Sequence, residues 1–425
     1  MAVGNYSSQT VQSESYPKYR WVVLFLLLAA LMAQPFNNYG IAALYQPIQE
    51  GMGLSHAQMG ILSTILGLAL AFFSLFGGAI MANIGIKRQY SWALGLMAAG
   101  GIAIGFAPNF ATMLIARLVT GIGFGMMFPV KTAVVMKWFP TRERLMMNAV
   151  TLASAYVGFF FLFKWIFGIY GLVGGDFRKA LIAMGGIAAV AFVLWVVLYN
   201  DNHQGLPSAA FHGEKKEKKG FDYSLLKEVA SNKYIIFMTM GIVCHYFAND
   251  AVNTFLPAYL TEKFGDPHLA NGIMANIPAA GSIAIIAAAI IAPPLKTRKL
   301  FIWPFMITYM LGVVGVLFSS SPDTIKMFQI LVGASSAAFY PAFTTLCMEL
   351  PGFTPMKVGV SMGFIFGLGN LSKFLTGVLT GVLADSMGLY ASILGVVVVF
   401  QILATFFMLK LPESHGKPMT DQQAS

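Results

Sequence analysis

Five charged residues lie inside long apolar runs of this 425-residue chain: Arg117, Lys131, Lys164, Asp250 and Lys373. A charge in hydrocarbon is costly, and it marks a binding site or an ion path by default. Four of the five are cations and one is an acid, which is the pattern of an anion site with one group able to carry a proton. Lys164 sits in Phe161-Leu162-Phe163-Lys164-Trp165 and Lys373 in Asn370-Leu371-Ser372-Lys373. Two such ammonium groups facing each other would repel, and an anionic ligand between them would relieve the repulsion. The other reading of Lys164 is a side chain that snorkels to the outer interface. Arg117 and Lys131 are fourteen residues apart, about 21 Å along a helix, so they cannot clamp one small ligand together. Lys131 either binds substrate or pairs with loop groups. Arg117 is either structural or linked to proton movement. Asp250 belongs to a stripe, Tyr246, Asn249, Asp250 and Asn253, on one helix face. It could carry a coupling proton or neutralise a lysine, and His245 is a second proton candidate against a core histidine. Gln34, Asn37, Asn38, Tyr340, Asn249 and Asn370 supply amides and a phenol, which can orient a carboxylate without adding charge.

The elements that must position these groups are membrane helices. The chain is 57% hydrophobic and only 10% charged, with a mean hydropathy of +0.71, against about 25% charged in ordinary soluble proteins. Those values exclude a soluble enzyme, a disordered chain and a nucleic-acid-binding domain. Twelve apolar segments are legible, at roughly 21–46, 57–82, 89–107, 111–136, 146–171, 180–199, 234–260, 269–294, 300–319, 325–348, 359–384 and 388–410. Each is long enough to cross a bilayer, and lipid demands a helix because it cannot satisfy an open backbone. Alternation every second residue, which a β-barrel needs, is missing. The expected fold is an all-α membrane protein of twelve helices in two six-helix halves. It comprises a tail at 1–20, bundles at 21–199 and 233–410, a linker at 200–232 and a second tail at 411–425.

The net charge of +10 does not point to nucleic acid, because the basic residues fall in short loops. With the N-terminus inside, nineteen of the 27 lie on the cytoplasmic side, from Lys18 and Arg20 to Lys410 and Lys417, and four (Arg178, Lys179, Lys263, Lys326) on the other. That asymmetry puts both termini in the cytoplasm and requires an even number of crossings. The polar first 17 residues and the full-length first apolar run argue for a retained helix rather than a cleaved signal peptide. Cys244 and Cys347 both fall inside apolar runs, with no disulfide or metal spacing. The chain also repeats itself. Phe128-Pro129 returns as Tyr340-Pro341, and Trp138-Phe139-Pro140 with Arg144 as Leu350-Pro351 with Lys357, at an offset of about 212 residues. Two parallel halves related this way place a binding site between them near the midplane.

On these features the chain resembles the major facilitator superfamily over nearly its whole length. Gly78-x-x-x-Ala82-Asn83-x-Gly85-x-Lys87-Arg88 resembles the family's gating loop between spans 2 and 3, departing from it at Ala82 and Asn83. Gly381-Val-Leu-Ala-Asp385-x-x-Gly388 has a similar cadence after span 11. Arg117-x-x-x-Gly121-x-Gly123-x-Gly125 resembles a second motif, and Trp138-Phe139-Pro140-x-x-Glu143-Arg144 the span 4–5 loop of the organic- and inorganic-anion carriers. Gly175-Asp-Phe-Arg178-Lys-Ala180 resembles the start of span 6. The three spaced glycines lie inside an apolar helix, so they are not a dinucleotide loop. The Gly-Pro signature of drug/proton antiporters is missing from span 5. The resemblance implies a cavity lined by spans 1, 4, 7 and 10 and flanked by 2, 5, 8 and 11.

The combined reading is a secondary transporter, not an enzyme, that moves a small organic anion by alternating access. Lys164 and Lys373 would hold the anion, Asp250 with His245 and Arg117 would couple protons, and Gly78, Gly85, Lys87 and Arg88 would form the gating loop. The expected partners are the anion, protons and the bilayer of an inner cell membrane, for a monomer without cofactor. An exchanger that moves no proton and a carrier of neutral or drug-like solutes are the alternatives. A membrane enzyme would need clustered acids, His or Cys, and a sensor would need an appended soluble domain.

Overall fold

In a lipid core each backbone amide must find its partner within its own segment, and the computed structural model of the chain shows that solution throughout. It describes residues 16–201, 223–291, 297–353 and 355–413. The ends of both tails and the basic run at 214–219 lie outside the described residues. Among those described, all regular structure is helical. The first six spans are Arg20–Ala43; His56–Thr64 continued by Leu66–Ile84; Ile86–Phe106; Phe110–Trp138; Thr141–Leu172; and Phe177–Leu198. Span 7 is Lys233–Phe264, span 8 is Pro267–Met274 continued by Asn276–Ile291, span 9 is Trp303–Phe318 and span 10 is Pro322–Met348. Spans 11 and 12 form one run, Pro355–Leu409, that turns at Gly388, whose φ of 84° is open to glycine. Among the described residues ten helices are long and apolar enough to cross a membrane when that run counts as one. Dividing it at Gly388 and adding Ile86–Phe106 restores twelve.

Side chains cap most of the turns. Ser55 and Gln58 form a reciprocal capping box at the start of span 2, as Asn109 and Thr112 do for span 4. Asp176, Asn232 and Asp266 accept from the first free amides of spans 6, 7 and 8. Each satisfies donors that a helix start leaves open.

The start of span 1 and the end of span 12 lie on one side, here the terminal side, and the buried apolar residues divide according to it. On the far side a single core spans both halves, joining Tyr39, Leu62, Met113 and Leu162 to Val252, Phe255, Ile273 and Ile393. On the terminal side there are two separate cores. Val23, Tyr90, Val130, Trp138 and Trp195 belong to the first six spans, and Ile235, Met306, Phe343, Cys347 and Met408 to the last six. The molecule is therefore a wedge, packed shut on the far side and parted on the terminal side.

Two close seams make the far-side closure. Where spans 2 and 11 meet, a Cβ on Gly60 would lie 2.1 Å from the Gly377 carbonyl oxygen, and one on Gly381 would lie 2.7 Å from the Ala57 Cα. Backbone meets backbone there, and only glycine permits it. Asp385 then reaches across the halves and accepts from the amides of His56 (2.8 Å) and Ala57 (3.0 Å) at the start of span 2. Spans 5 and 8 form the second seam, where Gly281 leaves room for the Tyr156 ring. Further links are Asn271 Nδ2 donating to the Ala43 carbonyl at 3.3 Å and the Tyr45 and Phe255 rings at 6.0 Å. On the terminal side the ion pairs Arg20–Glu143, Lys137–Asp201 and Arg298–Glu349 each stay within one half.

Candidate functional site

The seams end where the wedge opens, and at that apex stands Asp250. Span 7 carries it near its middle, and its side chain is 4% exposed. Tyr39, on span 1 in the other half, donates its hydroxyl to Asp250 Oδ1 at 2.8 Å. This bond crosses between the halves at the apex. The charges of Lys373 and Arg117 both act on the Asp250 carboxylate.

The two cations are held very differently. Arg117 is 2% exposed, and its guanidinium donates to four backbone carbonyls, those of Asn37, Asn38, Leu62 and Ser63, at 2.5–3.0 Å. It ties span 4 to spans 1 and 2 beside the break at Ile65. A guanidinium stays protonated, so Arg117 is a fixed positive charge in a structural tie and not a proton carrier. Among the described residues Lys373 forms no ion pair within 4 Å, and its ammonium lies 4.8 Å from the centre of the Tyr246 ring. That is cation–π geometry, with the three N–H donors left for a ligand.

Hydroxyls complete the apex. The Tyr246 and Tyr340 side chains lie near one another, as do those of Tyr156 and Ser336, and the Ser336 hydroxyl donates to the Gly333 carbonyl at 2.8 Å. Tyr340 also stacks on Phe339 at 4.2 Å. Spans 1, 4, 5, 7, 10 and 11 thus converge on one carboxylate, two cations and a ring of phenols.

Family-level comparison fits this architecture. The model of the Major Facilitator Superfamily matches residues 25–354, over three-quarters of the chain. The chain belongs to the major facilitator superfamily. It is 22% identical over 402 residues to a Bacillus subtilis protein named "Probable galactarate/D-glucarate transporter GudP", covering 87% of this chain and 86% of that one. It is 23% identical over 396 residues to the hexuronate transporter of the same organism, covering 87% and 89%. To the D-galactonate transporter of an Escherichia coli O6:H1 strain it is 22% identical over 398 residues, covering 87% and 90%. Among solved structures, a bacterial homolog of the human lysosomal transporter Spinster, inward-facing and unoccupied, superposes with a TM-score of 0.75 at 15% identity, covering 93% of this chain and 97% of that one. The nucleoside transporter NupG superposes with 0.71 at 14%, covering 91% and 98%. This major facilitator chain is accordingly a transporter and not an enzyme, built on the twelve-helix fold.

Several residues singled out in the sequence stand elsewhere. Lys164 is exposed and shares a face of span 5 with Trp165, which is 54% exposed and stacked on Phe161. It lies on the far-side half of span 5, where the two halves share one packed core, so an exposed side chain there faces the perimeter. The expectation that it opposes Lys373 is corrected: its exposed side chain does not stand at the buried apex. His245 is fully buried behind span 7, bonded to Gln401 at 3.0 Å and packed edge-on against Tyr309 and Phe339. It is a core histidine away from the wedge. Asn37 turns from the wedge into its own half, donating to the Met184 carbonyl at 3.3 Å and filling the space beside Gly101.

Gln34 and Asn38 are half-buried on span 1, one turn apart. Asn249 accepts from Tyr309 at 3.2 Å. Asn370 is 4% exposed, and its carbonyl faces Gly67 across the seam. Lys131 lies beyond Pro129, towards the open end. Gly78 lies in span 2, and Gly85 (φ 81°) makes the turn before Lys87 and Arg88. Neither of those two side chains bonds to the other half among the described residues. Tyr39 and Tyr156 were not signalled, because a lone tyrosine in an apolar run reads as packing.

Proposed function

We propose that this transporter carries a small organic anion, a sugar acid, by alternating access at the apex, with Lys373 holding the carboxylate and Asp250 taking the coupling proton. The single observation that carries the reading is Lys373, an ammonium at mid-span that forms no ion pair within 4 Å among the described residues, close to the acid that Tyr39 anchors from the opposite half. A central cation costs several kcal/mol unless a group offsets it, and a bound carboxylate would do so. The printed activities of the relatives, on galactarate, glucarate, galactonate and hexuronate, give the class of anion. The basic-residue asymmetry supports both chain ends in the cytoplasm of a cell membrane, which makes the wedge cytoplasm-open.

The test is uptake of D-galactonate and a hexuronate by purified protein in liposomes. Lys373→Ala is expected to fold normally and lose uptake about tenfold or more, the loss of one charge-assisted contact worth ~1.5–3 kcal/mol. Lys373→Arg should retain part of it, since the charge stays and its geometry changes. Unchanged uptake by the alanine variant would sink the anion site.

Asp250 has its own measurement. Asp250→Asn should abolish accumulation driven by a pH gradient while sparing exchange of internal for external substrate. Loss of both would make Asp250 a fixed counter-charge and the protein an exchanger.

A further inference from the structure

We propose that the apex accepts acids with one carboxylate on a polyhydroxylated chain and excludes the corresponding diacids. The inference rests on the anion reading above and narrows it. The relatives do not decide the matter, since their printed substrates include both diacids (galactarate, glucarate) and monoacids (galactonate, hexuronate).

Charge decides it. A second carboxylate needs a second cation with donors to spare. Arg117 has four donors engaged by carbonyls and is 2% exposed, so a ligand could reach it only by dismantling the tie between spans 1, 2 and 4. Lys164 faces the perimeter. Lys131 is fourteen residues from Arg117, about 21 Å along span 4 towards the open end. The carboxylates of a six-carbon diacid are joined by five bonds of about 1.5 Å and stand less than ~8 Å apart. Among the described residues Lys373 is then the one cation at the apex with free donors. The second carboxylate of a diacid would instead meet Asp250, and an unpaired like charge in a poorly solvated site is strongly unfavourable.

The surroundings suit the rest of a sugar acid. Tyr156, Tyr246, Tyr340 and Ser336 bring hydroxyls from spans 5, 7 and 10. A hydroxyl both donates and accepts, which matches the alcohols of a polyol and gives a carboxylate nothing to neutralise it. Before Asp250 takes its proton, Arg117, Lys373 and Asp250 together carry one net positive charge, which one monoanion balances; after it, Lys373 is still the one cation there with donors free for a carboxylate.

The experiment uses ligands that differ only in the number of carboxylates: galactitol, D-galactonate and galactarate, with D-glucitol, D-gluconate and D-glucarate as a second series. Each is scored at pH 7, where the acids are ionised, by thermal stabilisation of the purified full-length protein and by competition for liposome uptake. The monoacid of at least one series is expected to bind about tenfold or more tightly than its diacid, a modest share of the cost of like charges brought together. In Asp250→Asn the diacid should gain on the monoacid by several-fold. A diacid that equals or outdoes its monoacid, an unchanged ratio in Asp250→Asn, or no binding by either monoacid would overturn the proposal. If the neutral polyols bind best, the anion reading itself fails, a different result from a diacid that binds as well as its monoacid.

Discussion

Arg117 and Lys373 are both intramembrane cations near Asp250, yet one is a tie and the other a candidate ligand group. Residue type alone could not separate them. What separates them is the number of carbonyls each can reach, and that depends on how spans 1 and 2 pass span 4. Arg117→Lys tests the tie. A lysine has one nitrogen to offer four carbonyls, so the variant should lose about 1–3 kcal/mol for carbonyls left unsatisfied, read as several degrees of Tm in detergent without ligand. The same limit explains the error over Lys164. Its half-chain counterpart is residue 376, three positions from Lys373. Three positions leave two residues only about 60° apart around a helix, so register alone could not show that span 5 turns its lysine outward while span 11 turns its own inward. For Asn37 and Asn38 the sequence offers two adjacent amides, about 100° apart on a helix, and only packing against Gly101 and Met184 shows that Asn37 is the one turned inward. Asp250 was legible because an acid in an apolar run has few alternative explanations. Its phenol partners were not, because tyrosine serves packing equally well.

Among the elements, the twelve spans were readable almost to their ends, because hydrocarbon thickness fixes their length and the basic loops fix their alternation. The breaks at Ile65 and Ala275 were not, since neither carries a proline or glycine at the break itself. The seam between spans 2 and 11 belongs to the same scale. Gly377 has the Thr64 hydroxyl 2.1 Å from where its Cβ would be, and the Gly60 carbonyl at 2.4 Å. Gly377→Leu cannot fit without parting the two helices. The expected outcome is a protein that inserts but no longer closes its far side. A cysteine at Ala258, a site 5% exposed, should then label readily from that side in a background lacking Cys244 and Cys347. Protection equal to that of the parent would show that the seam is more compliant than its geometry.

Across the whole molecule, one shared core on the far side and two separate cores on the terminal side match one end of the alternating-access cycle proposed above. In the other state the far-side core must part and the two terminal-side cores must meet. Asp385 is one of the groups that oppose that change, since its carboxylate lies over the first amides of a helix in the other half. A carboxylate at an exposed helix start contributes about 0.3–1 kcal/mol. Asp385→Asn should therefore raise far-side opening about two- to fivefold, visible as faster labelling of the Ala258 cysteine with no loss of Tm.

The latch that Asp385 forms has a consequence for the medium in which the transporter works. Asp385 is exposed, unlike Asp250, and it touches only one of the two aqueous compartments. Dissolved ions there weaken an exposed charge–dipole contact over a Debye length of about 8 Å at physiological strength and about 3 Å at molar salt. Ions in the other compartment never reach it. The two faces of the membrane should thus be unequal in their response to salt. Raising ionic strength on the far side alone would quicken release from the closed state, and the same change on the terminal side would leave that step untouched. With the far side outside the cell, as proposed above, the brine or freshwater there would act on the pace of the cycle without binding to the transport site.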